Sequence, residues 1–153
     1  SVELPVGNFP SIEDARAEFD SIVETLNATR KNGTEDEIKE AVKNAKRSNF
    51  VLGNAQRTAD GPISMRVQAM RIGPAALVAI PVEAFSEIGV AVKNSSPASQ
   101  TLFSGYTNGS LGYMPMADAY EEGGYEVTTP PMAAGAAEET ITACSDAVRA
   151  LWR

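Results

Sequence analysis

Ala75-Ala76-Leu77-Val78-Ala79-Ile80-Pro81-Val82-Glu83-Ala84-Phe85 is the stretch whose pattern decides the fold. Its first six residues are an unbroken apolar run, the signature of a strand covered on both faces. Pro81 closes the run, and a carboxylate, Glu83, follows at the point where a strand hands over to a helix. From Ala84 the period changes. Phe85, Ile88 and Val92, with the small Gly89 and Ala91, suit a helix that stops near Asn94-Ser95-Ser96-Pro97. Gln100-Thr101-Leu102-Phe103-Ser104-Gly105 then reads as a second strand. Strand, helix, strand in that order predicts two parallel neighbours joined by a right-handed crossover. Both loops leaving the carboxyl ends of such strands lie on one edge of the sheet, where open α/β folds bind ligands. That edge would bring Glu83 together with the loop from Asn108 to Tyr113.

Upstream, Gly73-Pro74 turns the chain out of an alternating run, Ile63 to Met70. This reads as one half-buried strand antiparallel to Ala75–Ile80. Val2-Glu3-Leu4-Pro5-Val6 reads as a short edge strand. Between them lie two helix starts: Ser11 with Asp14, and Thr34 with Glu37, the second a full capping box. Ile12, Ala15, Phe19, Ile22 and Leu26 make one apolar stripe; Ile38, Ala41, Val42 and Ala45 make another. Lys31-Asn32-Gly33 separates them, which predicts a helical hairpin laid over the sheet. Downstream, Thr128-Thr129-Pro130-Pro131 is a loop. A last helix, from about Ala137 to Leu151, buries Ile141, Cys144 and Val148. The expected class is α/β: a mixed sheet with a βαβ unit, an N-terminal helical hairpin, and a C-terminal helix covering it. Residues 1–60 form the hairpin segment and 61–153 the site-bearing segment. Together they make either a single domain or the carboxyl-terminal portion of a larger catalytic domain.

Composition narrows the chemistry. The chain has 153 residues, 43% hydrophobic and 22% charged, enough for one globular core. Its net charge of -7, with no Lys/Arg cluster, argues against a nucleic-acid partner. The longest apolar run is too short to span a bilayer, so no transmembrane segment is expected. One cysteine, Cys144, excludes an internal disulfide, and its place on an apolar helix stripe reads as a core thiol. There is no histidine. That excludes a Ser-His-Asp triad, a histidine general base, and a self-sufficient histidine zinc site. The first residue is Ser1 rather than Met, which suggests a proteolytically processed chain. Ser1 is itself a candidate for an amino-terminal nucleophile, with its α-amine as base. Asn-x-Ser/Thr triplets at Asn27, Asn32, Asn94 and Asn108 leave an extracellular origin open, and localisation is otherwise unassigned.

By itself, Glu83 has three readings: metal ligand, general base, or helix cap. Tyr106, Tyr113 and Tyr125 sit in a glycine-rich setting, although a lone tyrosine is usually packing material with one hydrogen bond. The ordered set is more specific than its parts. Pro81-x-Glu83-x-Phe85, Asn108-x-x-x-x-Tyr113, Tyr120-Glu121-Glu122 and Tyr125-Glu126 resemble the second half of the catalytic domain of neutral (non-lysosomal) ceramidases and their bacterial relatives. The similarity runs from Val67 to Leu151.

Those enzymes are zinc-dependent amidases that cleave the N-acyl bond of ceramide. The resemblance implies Glu83 and Tyr113 as zinc ligands beside two histidines, and Tyr125 as the group that stabilises the oxyanion. It implies Asn108 as an organiser of its loop. The histidines, a catalytic serine region and an oxyanion arginine belong to the family's amino-terminal half. Zinc would therefore be shared with a companion polypeptide in a hetero-oligomer, and this chain would not be active alone. The expected substrate is an amide or N-acyl lipid-like molecule, hydrolysed by zinc-activated water. Val82 and Ala84 depart from the ceramidase branch, and Glu83 stands closer to Tyr113 in sequence than it does there. The shorter separation favours a small-substrate or uncharacterised relative over a true ceramidase. The alternative is a non-enzymatic pseudoenzyme or interaction subunit that keeps the fold.

Overall fold

The computed structural model describes residues 1–153. They divide into two compact units, one of Asn8–Gly61 and one of Ser1–Gly7 with Pro62–Arg153.

Asn8–Gly61 is a helical hairpin of α1 (Ile12–Asn32) and α2 (Glu35–Thr58). Ser11 Oγ accepts the Asp14 N–H at 3.1 Å and caps α1. Thr34 and Glu37 cap α2 reciprocally: the Thr34 N–H donates to the Glu37 carboxylate at 2.7 Å, and Thr34 Oγ1 accepts the Glu37 N–H at 3.4 Å. Those bonds from Thr34, backbone first and then hydroxyl, favour the charged carboxylate and lower the pKa of Glu37. At the turn, a Cβ on Gly33 would stand 2.7 Å from the Thr29 carbonyl oxygen, so the chain needs glycine there. The hairpin's core is thin. Ala15, Leu52 and Ala55 are buried, with Phe9, Phe19 and Val51 packed against them. Ile38, Ala41, Val42 and Ala45 are only half-buried, because two helices cover one another along a single line of contact.

The other unit contains seven short strands and four helices. β1 (Val2–Leu4) pairs antiparallel with β2 (Ile63–Met65). β3 (Gln68–Ile72), β4 (Ala75–Ala79) and β6 (Gln100–Ser104) make a three-stranded sheet in the order β3-β4-β6. β5 (Glu83–Ala84) pairs parallel with β7 (Tyr113–Met114). The helices are α3 (Ser86–Ser95), α4 (Ala119–Glu122), α5 (Tyr125–Thr128) and α6 (Ala136–Ala150). β4 and β6 run parallel in the register Ala75↔Gln100 to Ala79↔Ser104, with α3 as the crossover between them. β3 returns antiparallel to β4 through the Gly73-Pro74 turn, where Gly73 takes a left-handed φ of 58°. The mixed sheet with its βαβ unit is the architecture the period changes imply.

Three details differ from the pattern. The run from Ile63 to Met70 breaks at Arg66-Val67, and its halves pair with different strands, β2 with β1 and β3 with β4. Alternation shows that a segment is extended; it does not say which neighbour it takes. Residues 1–7 belong with the sheets. The Gly7 N–H donates to the Pro131 carbonyl, and the Ala133 N–H to the Pro5 carbonyl, each at 2.9 Å. Finally, the two faces of the sheet are covered unequally. Val78 and Ile80 are buried in the core with Ile88, Val92, Cys144 and Val148. On the opposite face Ala75 and Leu77 of β4 are half-buried and Ala79 is buried, while on the flanking strands Met70 and Ile72 remain 58% exposed and Leu102 63%. An apolar run reports what a surface would bury, and cannot report whether its own chain supplies the cover.

α6 closes the core. Burial pushes the Cys144 thiol up to about 12, as befits a packing residue. Ser95 and Ser145 hydroxyls meet at 2.6 Å and tie α3 to α6. The Arg71 guanidinium lies 4.5 Å from the Trp152 ring centroid and donates to the Leu151 carbonyl at 3.0 Å, fixing the end of the helix. No helix is long and apolar enough to cross a membrane.

Candidate functional site

The carboxyl ends of β4 and β6 are joined by a tight backbone lattice. The Ile80 N–H donates to the Ser104 carbonyl, the Thr107 N–H to Ile80, and the Tyr106 N–H to Val82, each at 3.0 Å. The Leu111 N–H donates to the Pro81 carbonyl at 2.7 Å. The whole loop after β6 is thereby zipped onto residues 80–83. Its tip requires left-handed backbone at two residues with side chains, Tyr106 (φ 52°) and Asn108 (φ 59°). Asparagine tolerates that region well; tyrosine does not. Asn108 also donates from Nδ2 to Gln68 Oε1 at 3.1 Å, which ties the loop tip to β3.

The loop returns as β7, and its register sets Tyr113 directly beside Glu83. The Glu83 N–H donates to the Gly112 carbonyl at 2.9 Å, and the Phe85 N–H to Met114 at 3.1 Å. Glu83 is no helix cap. α3 starts at Ser86 with Phe85 in the cap position and no side-chain cap bond. Its carboxylate instead receives the Tyr106 hydroxyl on Oε2. The pKa of Tyr113 is raised: first by desolvation, then by the charge and hydrogen bonding of Glu83, then by Glu126 and Tyr125. The Tyr125 ring stands edge-on to Tyr113, with centroids 5.8 Å apart and planes at 79°.

One carboxylate thus stands among three phenols: Tyr106 donates to it, Tyr113 sits opposite it in the strand register, and Tyr125 stands edge-on to Tyr113. An open groove of about 360 Å³ lies beside it, lined by Val82, Phe85, Gly89, Val90 and Phe103 together with Glu83 and Tyr106. Nearby, Tyr120 donates its hydroxyl to the Met132 carbonyl at 3.1 Å. Burial first, and then the charge of Glu138, raise its pKa. That is a structural tether for the segment leading to α6. Ser1 is exposed and precedes β1, which belongs to a different sheet from β5 and β7.

As a metal cradle the cluster is partial. No three His, Cys, Asp or Glu side chains converge anywhere in the chain. Glu83 and Tyr113 together offer two oxygen donors, one anionic and one ionisable, of the kind zinc accepts but fewer than the four it takes. Of the residues singled out from sequence, Glu83, Tyr113 and Tyr125 come together, Asn108 lies at the tip of the same loop, and Ser1 is elsewhere. Tyr106 was a tyrosine without an assigned partner. Its place at the carboxyl end of β6, one residue past Gly105, was the available signal that it faces Glu83.

No family model matches the chain, and no curated protein matches it. Solved structures do. A ceramidase complexed with C2 superposes with a TM-score of 0.52 at 25% identity, over 56% of this chain and 14% of that one. The neutral ceramidase from Pseudomonas aeruginosa superposes with a TM-score of 0.51 at 25% identity, over 56% of this chain and 15% of that one. The chain therefore has a ceramidase-like fold over more than half its length, and spans a small part of the ceramidases it matches.

Proposed function

We propose that this chain is part of a zinc-dependent amidohydrolase of neutral-ceramidase type, with histidine ligands supplied by a companion polypeptide. One observation carries the proposal: β5 and β7 pair so that Glu83 and Tyr113 stand side by side, within a ceramidase-like fold that contains no histidine. Glu83 would hold the metal through its carboxylate and Tyr113 through its phenolic oxygen. Zinc, when bound, supplies Lewis acidity and a water whose pKa falls to about 7. Tyr125, edge-on to Tyr113 and 55% exposed, presents a phenol that would donate to the oxygen gaining charge at the scissile amide carbon. The groove beside Glu83 would receive the apolar part of an N-acyl substrate.

Zinc content tests this. The isolated chain, with two donors, should retain little metal, whereas native complex carrying the companion should hold about one zinc per site. Glu83→Ala should abolish that content. A native complex free of metal would overturn the enzymatic reading. A second reading, an interaction subunit that keeps the fold without the chemistry, is favoured by the exposed Met70, Ile72 and Leu102. A partner lacking histidines would select it.

A further inference from the structure

We propose that Tyr106 is a positioning residue for Glu83: its phenol pins one carboxylate oxygen and so sets the direction in which the other lone pairs point. The proposal rests on the amidohydrolase reading, in which Glu83 is a ligand, and adds a residue that neither the motifs nor the metal donor set includes.

The backbone around Tyr106 is built for this contact. Gly105 approaches the Val82 carbonyl so closely that a Cβ would stand 2.8 Å from that oxygen. The same oxygen accepts the Tyr106 N–H at 3.0 Å, so residues 105 and 106 are clamped to the strand that leads into Glu83. Tyr106 then takes a left-handed φ of 52°, which L side chains rarely adopt and aromatic ones seldom choose. Such a conformation persists where its surroundings over-determine it, and these sites cluster where side chains must be aimed. The side chain is no core filler, since the residue is 55% exposed. Its hydroxyl donates to Glu83 Oε2. Partners of this kind, one bond removed from a ligand, fix the ligand's orientation and its basicity. Tyr106 also lines the groove beside Glu83, so a molecule entering there meets the phenol and the carboxylate together.

Two substitutions separate positioning from folding. Tyr106→Phe removes only the hydroxyl. Tyr106→Asn removes the ring and leaves a residue at ease with positive φ. Zinc titration of the native complex should show affinity lowered about 10- to 100-fold in both variants, with the melting temperature of the complex unchanged in Tyr106→Phe. In the metal-free chain, carbon-13 relaxation of a labelled Glu83 side chain should show greater mobility in both variants. Unchanged zinc affinity in Tyr106→Phe, or unchanged Glu83 mobility, overturns the proposal. If the wild-type complex takes up no zinc, the amidohydrolase reading falls. The metal-free measurement then decides the positioning role: a loosened Glu83 supports it and an unaltered one refutes it.

Discussion

Gly105→Ala is expected to destabilise the sheet-bearing unit by displacing the loop that carries Tyr106. The added Cβ would lie 2.8 Å from the Val82 carbonyl oxygen, a contact that real Cβ atoms essentially never make. Ordinary van der Waals separation begins near 3.4 Å, so backbone must move by several tenths of an ångström. The obstacle is a main-chain atom rather than the far end of a flexible side chain. It is also held in place, because Val82 accepts from Tyr106 and Ile80 from Thr107, each at 3.0 Å. Overpacking of this kind costs about 1–3 kcal/mol. At about 2–4 °C per kcal/mol for a chain of this size, the melting temperature should fall by about 2–12 °C. Gly53→Ala is the matched control. Gly53 lies inside α2, and a Cβ there meets nothing within 4 Å. It should therefore stabilise the hairpin, by about 0.5–1 kcal/mol. Both changes restrict the unfolded chain alike, so the opposite signs report only the native surroundings. Circular dichroism melts and urea midpoints measure both. A Gly105→Ala chain that melts at or above wild type would refute the clamp, and with it the reason given for the aim of Tyr106.

Two further outcomes follow from the core of the same unit. Thr140 is fully buried on α6, and its hydroxyl has no hydrogen-bond partner. Thr140→Val keeps the shape and removes the unmet polar group, and should raise stability by about 1 kcal/mol in urea denaturation; a decrease would show that the hydroxyl is satisfied. The Cys144 thiol, raised by burial from 9.0 to about 12, is protonated in the fold where the unfolded chain would ionise. Because the folded value is the higher one, this contribution is fully present below pH 9 and is lost as pH rises toward 12. Denaturation midpoints should fall over that range, with a shallower slope in Cys144→Ala. A wild-type midpoint that stays level from pH 9 to 11 would contradict the assignment.

Much of the candidate site's location was legible in the chain because it follows from connectivity. An apolar run, a change of period at Ala84 and a second run at Gln100 can only be joined as strand, helix and parallel strand, and β4, α3 and β6 are so joined. That arrangement alone brings Glu83 and the loop after Gly105 to one edge. Caps were legible too, since Thr34 and Glu37 act on backbone only three residues away. The pairing of Glu83 with Tyr113 lay a step further off. It depends on how many residues the loop spends before it returns as β7, which no period records.

What the sequence determined by itself was local: where each helix begins, where the strands run, which edge holds the polar and aromatic residues, and that this chain carries no histidine. What the tertiary structure decided was who meets whom. It divided Ile63–Met70 between two partners, joined residues 1–7 to Pro131 and Ala133, and left Met70, Ile72 and Leu102 uncovered. It also turned Tyr106 toward Glu83. Periodicity and capping are set within a few residues along the chain, whereas strand partners, uncovered faces and the aim of a side chain depend on atoms that only folding brings within reach.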